Sequence, residues 1–237
     1  MRFEITGGPG AAAARVKLDQ GDTLTAEVGS MIAMTPGLEV STSTATRSGG
    51  AVGQALRRVF AGESLFLNHF IAAREGQEVI LAPKCLGDIR VHTLRGGALI
   101  IQAGSWLASS HGVQIDATWK GLQNALFSGE GGLWVRASGQ GSVLLNAFGA
   151  IYAIDVAEDG ETAAPEGGHI VDTGHIVAFE EGLTFRTTKA ARTWGASLLG
   201  GERLVCDFSG RGKLYCQTHD PRVFGRGIGR LLRRRDA

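Results

Sequence analysis

One pattern recurs three times along this chain and constrains its fold more than any other feature. Gly29, Gly104 and Gly174 are each followed four residues later by alanine (Ala33, Ala108, Ala178) and four residues later again by glycine (Gly37, Gly112, Gly182). Two apolar residues precede each alanine: Met31-Ile32, Trp106-Leu107 and Ile176-Val177. A second element follows each copy, with Gly62-Glu63, Gly129-Glu130 and Gly201-Glu202 opening alternating segments at 65–69, 133–137 and 204–208. Behind the latter two come Gly139-Gln140-Gly141 and Gly210-Arg211-Gly212, each followed by another apolar run. One such match would carry little weight. Three copies with the same second element in the same order predict one structural unit used three times.

The spacing also predicts local structure. Leu38 and Val40, Val113 and Ile115, and Leu183 and Phe185 alternate with Glu39, Gln114 and Thr184. A period of two is that of a strand with one face buried and the other exposed or at an interface. Gly37, Gly112 and Gly182 are expected at the positive-φ position of hairpin turns. The small alanine of each copy is expected where two sheets approach closely. The predicted class is all-β: three tandem β-sandwich or short double-stranded β-helix units in a pseudo-threefold arrangement. Their expected bounds are residues 1–86, 87–156 and 157–221, followed by a basic tail at 222–237. Helices are expected to be few and short, at 51–60, 119–127 and 190–199.

Composition supports this class and removes others. The 237 residues include 36 glycines but only 5 prolines, and glycine keeps no three-residue period, so the chain is not collagenous. A hydrophobic share of 43% at net charge +1 is enough for a buried core and excludes a disordered chain. No basic segment followed by an apolar one opens the sequence, so a signal peptide is not expected. The longest mostly apolar stretch, 142–154, is interrupted by Asn146 and too short to span a bilayer. Cys85, Cys206 and Cys216 are too few for a secreted disulfide framework, which makes the cytoplasm the expected compartment. Charge is unevenly distributed. Residues 222–237 carry six arginines and a single acid, a net +5, which leaves the body at −4. A nucleic-acid-binding body is expected to have the opposite sign, so nucleic acid is not an expected partner.

Three segments carry a family resemblance: Phe60-Ala61-Gly62-Glu63-Ser64-Leu65-Phe66, the run from Val171 to Glu180, and Gly201 to Phe208 continuing to Tyr215-Cys216-Gln217-Thr218. With them the chain resembles the altered inheritance of mitochondria family, member twenty-four, over about residues 1–221. The resemblance implies a fold similar to the tryptophan RNA-binding attenuation protein, a short double-stranded β-helix that assembles into rings. It also implies a homo-oligomer such as a trimer, and a role in mitochondrial biogenesis for eukaryotic members. It brings no catalytic residues. Gly210-Arg211-Gly212 stands where relatives often have Gly-Pro-Gly, a change expected only to loosen the turn.

Candidate chemistry is sparse. His169, Asp172 and His175 could be imagined as metal ligands, but residues 169 and 175 share one strand face while 172 points to the other. His69, His92, His111 and His219 lack the close spacing of a cupin-like site. Cys206 and Cys216 bracket a hairpin and read as buried thiols rather than a redox pair. No G-x-S-x-G elbow is present. The carboxylates of interest are Glu63, Glu130 and Glu202, a candidate polar cluster about the pseudo-threefold axis, whose plainer reading is capping of strand starts through backbone N–H groups.

In the tail, Phe224, Ile228, Leu231 and Leu232 form one helical stripe with arginines around it. Arg226, Arg230, Arg233, Arg234 and Arg235 are therefore candidates for contact with an anionic membrane surface or an acidic partner. The expected function is a non-enzymatic, oligomeric scaffold or binding protein without a cofactor. The alternatives are a small-ligand or metal-binding cupin-like barrel and, by fold analogy alone, an RNA-binding ring.

Overall fold

The computed structural model describes residues 1–44, 66–116, 134–156, 168–189 and 204–231. Its strands are β1 (Arg2–Thr6), β2 (Ala13–Leu18), β3 (Thr23–Glu27), β4 (Met31–Met34), β5 (Glu39–Thr44), β6 (Phe66–Ile71), β7 (Gln77–Leu81), β8 (Ile89–Gln102) and β9 (Trp106–Ser110). They continue with β10 (Val113–Asp116), β11 (Trp134–Asn146), β12 (Ile151–Val156), β13 (His169–Asp172), β14 (Ile176–Glu180), β15 (Leu183–Lys189), β16 (Leu204–Gly210) and β17 (Gly212–Gln217). One α-helix, α1 (Pro221–Leu231), ends the described chain. The all-β class follows directly from the alternating pattern. In β2, for example, Ala14, Val16 and Leu18 are buried while Arg15 and Lys17 face out. The expected helices at 51–60, 119–127 and 190–199 lie outside the described residues.

The strands form three sheets, ordered β1-β2-β7-β4, β12-β17-β14-β8-β11-β9-β3-β6-β5 with β10 on β11, and β13-β16-β15. Every ladder between these strands is antiparallel. The same four pairings occur in three places. β2 pairs with β7 as β8 does with the second half of β11 and β12 with β17. β3 pairs with β6 as the second half of β8 does with the first half of β11 and β13 with β16. β4, β9 and β14 pair with β7, β11 and β17. β5, β10 and β15 pair with β6, β11 and β16. Residues 151–156 pair along their whole length with β17.

The alanine of each sequence motif marks one local irregularity. Against a single step on the partner strand, β4 advances two residues from Met31 to Ala33, β9 from Trp106 to Ala108, and β14 from Ile176 to Ala178. Each is a bulge with one excess residue: Ile32, Leu107 or Val177. Ala108 and Ala178 are fully buried, each with a strand on either side within one sheet.

Gly37 and Gly112 take the expected positive φ, at 87° and 92°, but Gly182 does not. A Cβ on Gly182 would lie 2.7 Å from the carbonyl oxygen of Arg211. The turn demands glycine there because another backbone crosses it, not because of φ.

Three apolar clusters form among the described residues. The central one holds Trp106 with Leu99, Ile101, Val135 and Val143. The N-terminal one holds Val16, Leu24, Phe70, Leu81 and Leu107, and the C-terminal one Ile100, Phe179, Phe208 and Leu214. Phe208 lies 5.3 Å from Phe179 and 5.6 Å from Phe185 between ring centroids, within the range of favourable aromatic pairs.

Candidate functional site

Glu63, Glu130 and Glu202, the candidate polar cluster, lie outside the described residues, as do Arg233, Arg234 and Arg235. Arg226 and Arg230 are exposed on α1. The candidate ligand set at residues 169–175 is engaged otherwise. Asp172 Oδ1 accepts from the Gly174 amide at 2.7 Å, and His175 Nδ1 lies 2.7 Å from the Gln217 carbonyl. Among the described residues no three His, Cys, Asp or Glu side chains are grouped to hold a metal ion. Cys206 and Cys216 are free and buried, and burial pushes their thiols up to about 12 and about 11. At neutral pH both are protonated and poor nucleophiles.

A polar group not anticipated from sequence sits where β8 meets β14. His92 on β8 places Nδ1 2.8 Å from the Tyr215 hydroxyl on β17, and its Nε2 3.9 Å from Glu180 Oε1 on β14. Glu180 Oε2 in turn accepts from the Lys213 amide at 2.9 Å. His92 and Glu180 border a cleft of about 500 Å³ also lined by Arg95, Gly96, Gly97 and Arg211. Burial and Glu180 together push the Tyr215 hydroxyl up to about 12, so it is a neutral hydrogen-bonding group. The 123 residues separating His92 from Tyr215 leave no local motif to find.

Burial lowers the His92 pKa below its ordinary value of 6.5, against an opposing pull from Glu180. A histidine whose folded pKa is depressed adds stability that is present above 6.5 and lost as pH falls toward the folded value, because the unfolded chain takes the proton first. Denaturant titrations between pH 7.5 and 5 are expected to show stability falling with pH, and less steeply in H92Q. An unchanged slope in H92Q would contradict this.

The other unusual feature is at the strand edges. β9 and β14 are buried from Trp106 to Ser109 and from Ile176 to Phe179, each held between two neighbouring strands. β4 has the same motif and the same bulge, yet all four of its residues are exposed, Met31 by 43%, Ile32 by 58% and Met34 by 40%. It ends its sheet. β13 likewise ends the smallest sheet, with Ile170 exposed by 68%. His169, beside it, has a buried Nδ1 with no hydrogen-bond partner. The unbroken apolar run Met31-Ile32-Ala33-Met34 has the pattern of a strand buried on both faces.

The family model described as Mitochondrial biogenesis AIM24 matches residues 3–219. The chain belongs to the AIM24 family. An uncharacterized protein of Streptococcus pyogenes serotype M6 is 28% identical over 236 residues, covering 98% of this chain and 91% of that protein. An X-ray structure of a Streptococcus pyogenes protein shares the fold of this AIM24 chain at a TM-score of 0.74 and 24% identity, covering 98% and 99% of the two chains. The AIM24 match ends just before α1.

Proposed function

We propose that the chain is a building block of a homo-oligomeric, non-enzymatic scaffold, made of one β unit used three times. The observation that carries this reading is the contrast in burial between β4 and its counterparts β9 and β14. The fourfold pairing scheme and the three bulges at corresponding alanines support the repeat. Four consecutive exposed apolar residues on an edge strand are an aggregation hazard unless something covers them. A homo-oligomer is also what the family resemblance implies, and a closed ring is its implied form. Light scattering on the purified chain is expected to give the mass of two or more whole chains. A single-chain mass at tens of micromolar would contradict the reading.

A second surface supports a peripheral membrane contact for this scaffold. The carboxylate of Asp220 accepts the Arg222 amide at 2.7 Å and starts α1. Phe224 touches the Phe148 ring, with centroids 4.9 Å apart, yet Phe224, Ile228 and Leu231 remain exposed along one side. At 100° per residue, Arg222, Arg226 and Arg230 fall on the opposite side. An apolar stripe backed by arginines suits an anionic lipid surface, where each Lys or Arg contributes about 1 kcal/mol. No helix among the described residues is long and apolar enough to cross a membrane. Vesicles of phosphatidylserine and phosphatidylcholine are expected to co-sediment the full chain, but not one lacking residues 222–237. Equal co-sedimentation of both would overturn the contact.

A further inference from the structure

The two joins between successive units use one register. β3 meets β9 through Leu24↔Ser110, Thr25↔Ser109 and Ala26↔Ala108. β8 meets β14 through Leu99↔Glu180, Ile100↔Phe179 and Ile101↔Ala178. Counted from Gly29, Gly104 and Gly174, these are the same positions: the residue three before the glycine always faces the motif alanine. A further bond extends each ladder by one pair, from the His111 amide to the Thr23 carbonyl and from the Glu181 amide to the Ala98 carbonyl. Two joins consume β9 and β14 on one side and β3 and β8 on the other. That leaves β4 at one end and β13 at the other, each without a neighbour on its outer edge among the described residues.

We infer that β13 of one chain pairs antiparallel with β4 of a second copy, in the register Val171↔Ala33, Ile170↔Met34 and His169↔Thr35. This rests on the oligomeric reading above and gives it a specific contact. The backbone supports the register independently. In antiparallel pairs, hydrogen-bonded and non-hydrogen-bonded positions alternate. The Thr35 amide donates to the Glu78 carbonyl at 3.0 Å, so the neighbouring Met34, opposite Val79, turns its own N–H and C=O away from β7 and toward the open edge. On β3, the Val28 amide donates to Phe66 and the Ala72 amide to Asp22, which leaves Thr25 with its polar groups turned away from β6. Ile170 occupies the Thr25 position on β13 and therefore presents its N–H and C=O outward. Met34 and Ile170 can exchange both bonds.

The side chains fit as well. At the inner join Ile100 and Phe179 are 1% and 2% exposed and form an apolar pair. Ile170 and Met34 would form the corresponding pair, with Val171 and Ala33 on the opposite face in place of Ile101 and Ala178. One difference is built in. Pro36 holds the position of His111 and Glu181 and has no N–H to give, so the join between chains has one hydrogen bond fewer than the joins within a chain. The contact is heterologous, since unlike edges meet, and it propagates until rotation closes a ring.

The test is disulfide trapping in the full chain with exposed Cys85 replaced by serine. Residues 33 and 171 face each other at a non-hydrogen-bonded position, where Cα separations suit a disulfide. The A33C/V171C variant under mild oxidation is expected to give covalent dimers and higher multimers on non-reducing gels. The displaced pair I32C/V171C is expected to give at least tenfold less. Oligomers of normal mass that link no better at 33/171 than at 32/171 would overturn the register while leaving the scaffold reading intact. A single-chain mass before oxidation would overturn both. Linkage confined to single chains would show that β4 and β13 close on each other, and would overturn pairing between copies.

Discussion

Phe208→Ala is expected to lower the unfolding free energy by about 3–5 kcal/mol, the range for deleting a fully buried aromatic ring. The side chain is 0% exposed and lies between Phe179 and Phe185, with Cys206 and Leu214 in the same cluster. Its strand, β16, also carries β13 on one side and β15 on the other. The cavity would therefore loosen the support of the open β13 edge as well as the C-terminal cluster. Urea unfolding at submicromolar concentration, where association contributes least, measures the change. A loss below 1 kcal/mol would show that this cluster does not hold the third set of strands together.

The second large effect comes from the motif alanines, and it differs among them. Ala178→Leu inserts a side chain where Ile101 and Tyr215 already flank a fully buried alanine. Overpacking of this kind costs about 1–3 kcal/mol. Ala33→Leu changes the corresponding residue on β4, which has no strand neighbour beyond β7 among the described residues. It is expected to leave unfolding in dilute solution within about 0.5 kcal/mol of the parent, as surface substitutions do. Its effect should appear in assembly, as a drop in average mass at a fixed concentration. Equal destabilisation by both substitutions would mean that the alanine serves each strand alone rather than the join between units.

Much of this was legible in the amino-acid sequence because period-two alternation and glycine spacing are local signals. The strands after Gly37, Gly112 and Gly182 fall where alternation places them, beginning at Glu39, Val113 and Leu183. The reason for Gly182 was not legible. It depends on Arg211, a residue 29 positions away that crosses the turn, and nothing near Gly182 records that crossing. The His92–Tyr215–Glu180 group was invisible for the same reason, since its members come from three strands brought together only by pairing. The meaning of the alanine was half legible. Its recurrence pointed to close packing, but only the register distinguishes Ala108 and Ala178, covered within the chain, from Ala33, left open. Charge read from the sequence located the tail but not its geometry. The opposition of Arg222, Arg226 and Arg230 to Phe224, Ile228 and Leu231 requires the helix to form despite Gly225, Gly227 and Gly229.

The proposed assembly joins two unlike, complementary ends. Mixing two edge-blocked chains tests it most directly. Met34→Lys places a charge on the β4 edge and Ile170→Lys on the β13 edge, both at exposed positions where lysine blunts strand addition. Each variant retains the opposite edge intact. Alone, each is expected to run at the mass of one chain. Mixed in equal amounts, they are expected to form a one-to-one dimer through Ile170 of the first variant and Met34 of the second, and to grow no further. Two monomers that ignore each other on mixing, or either variant assembling alone as the parent does, would contradict the claim.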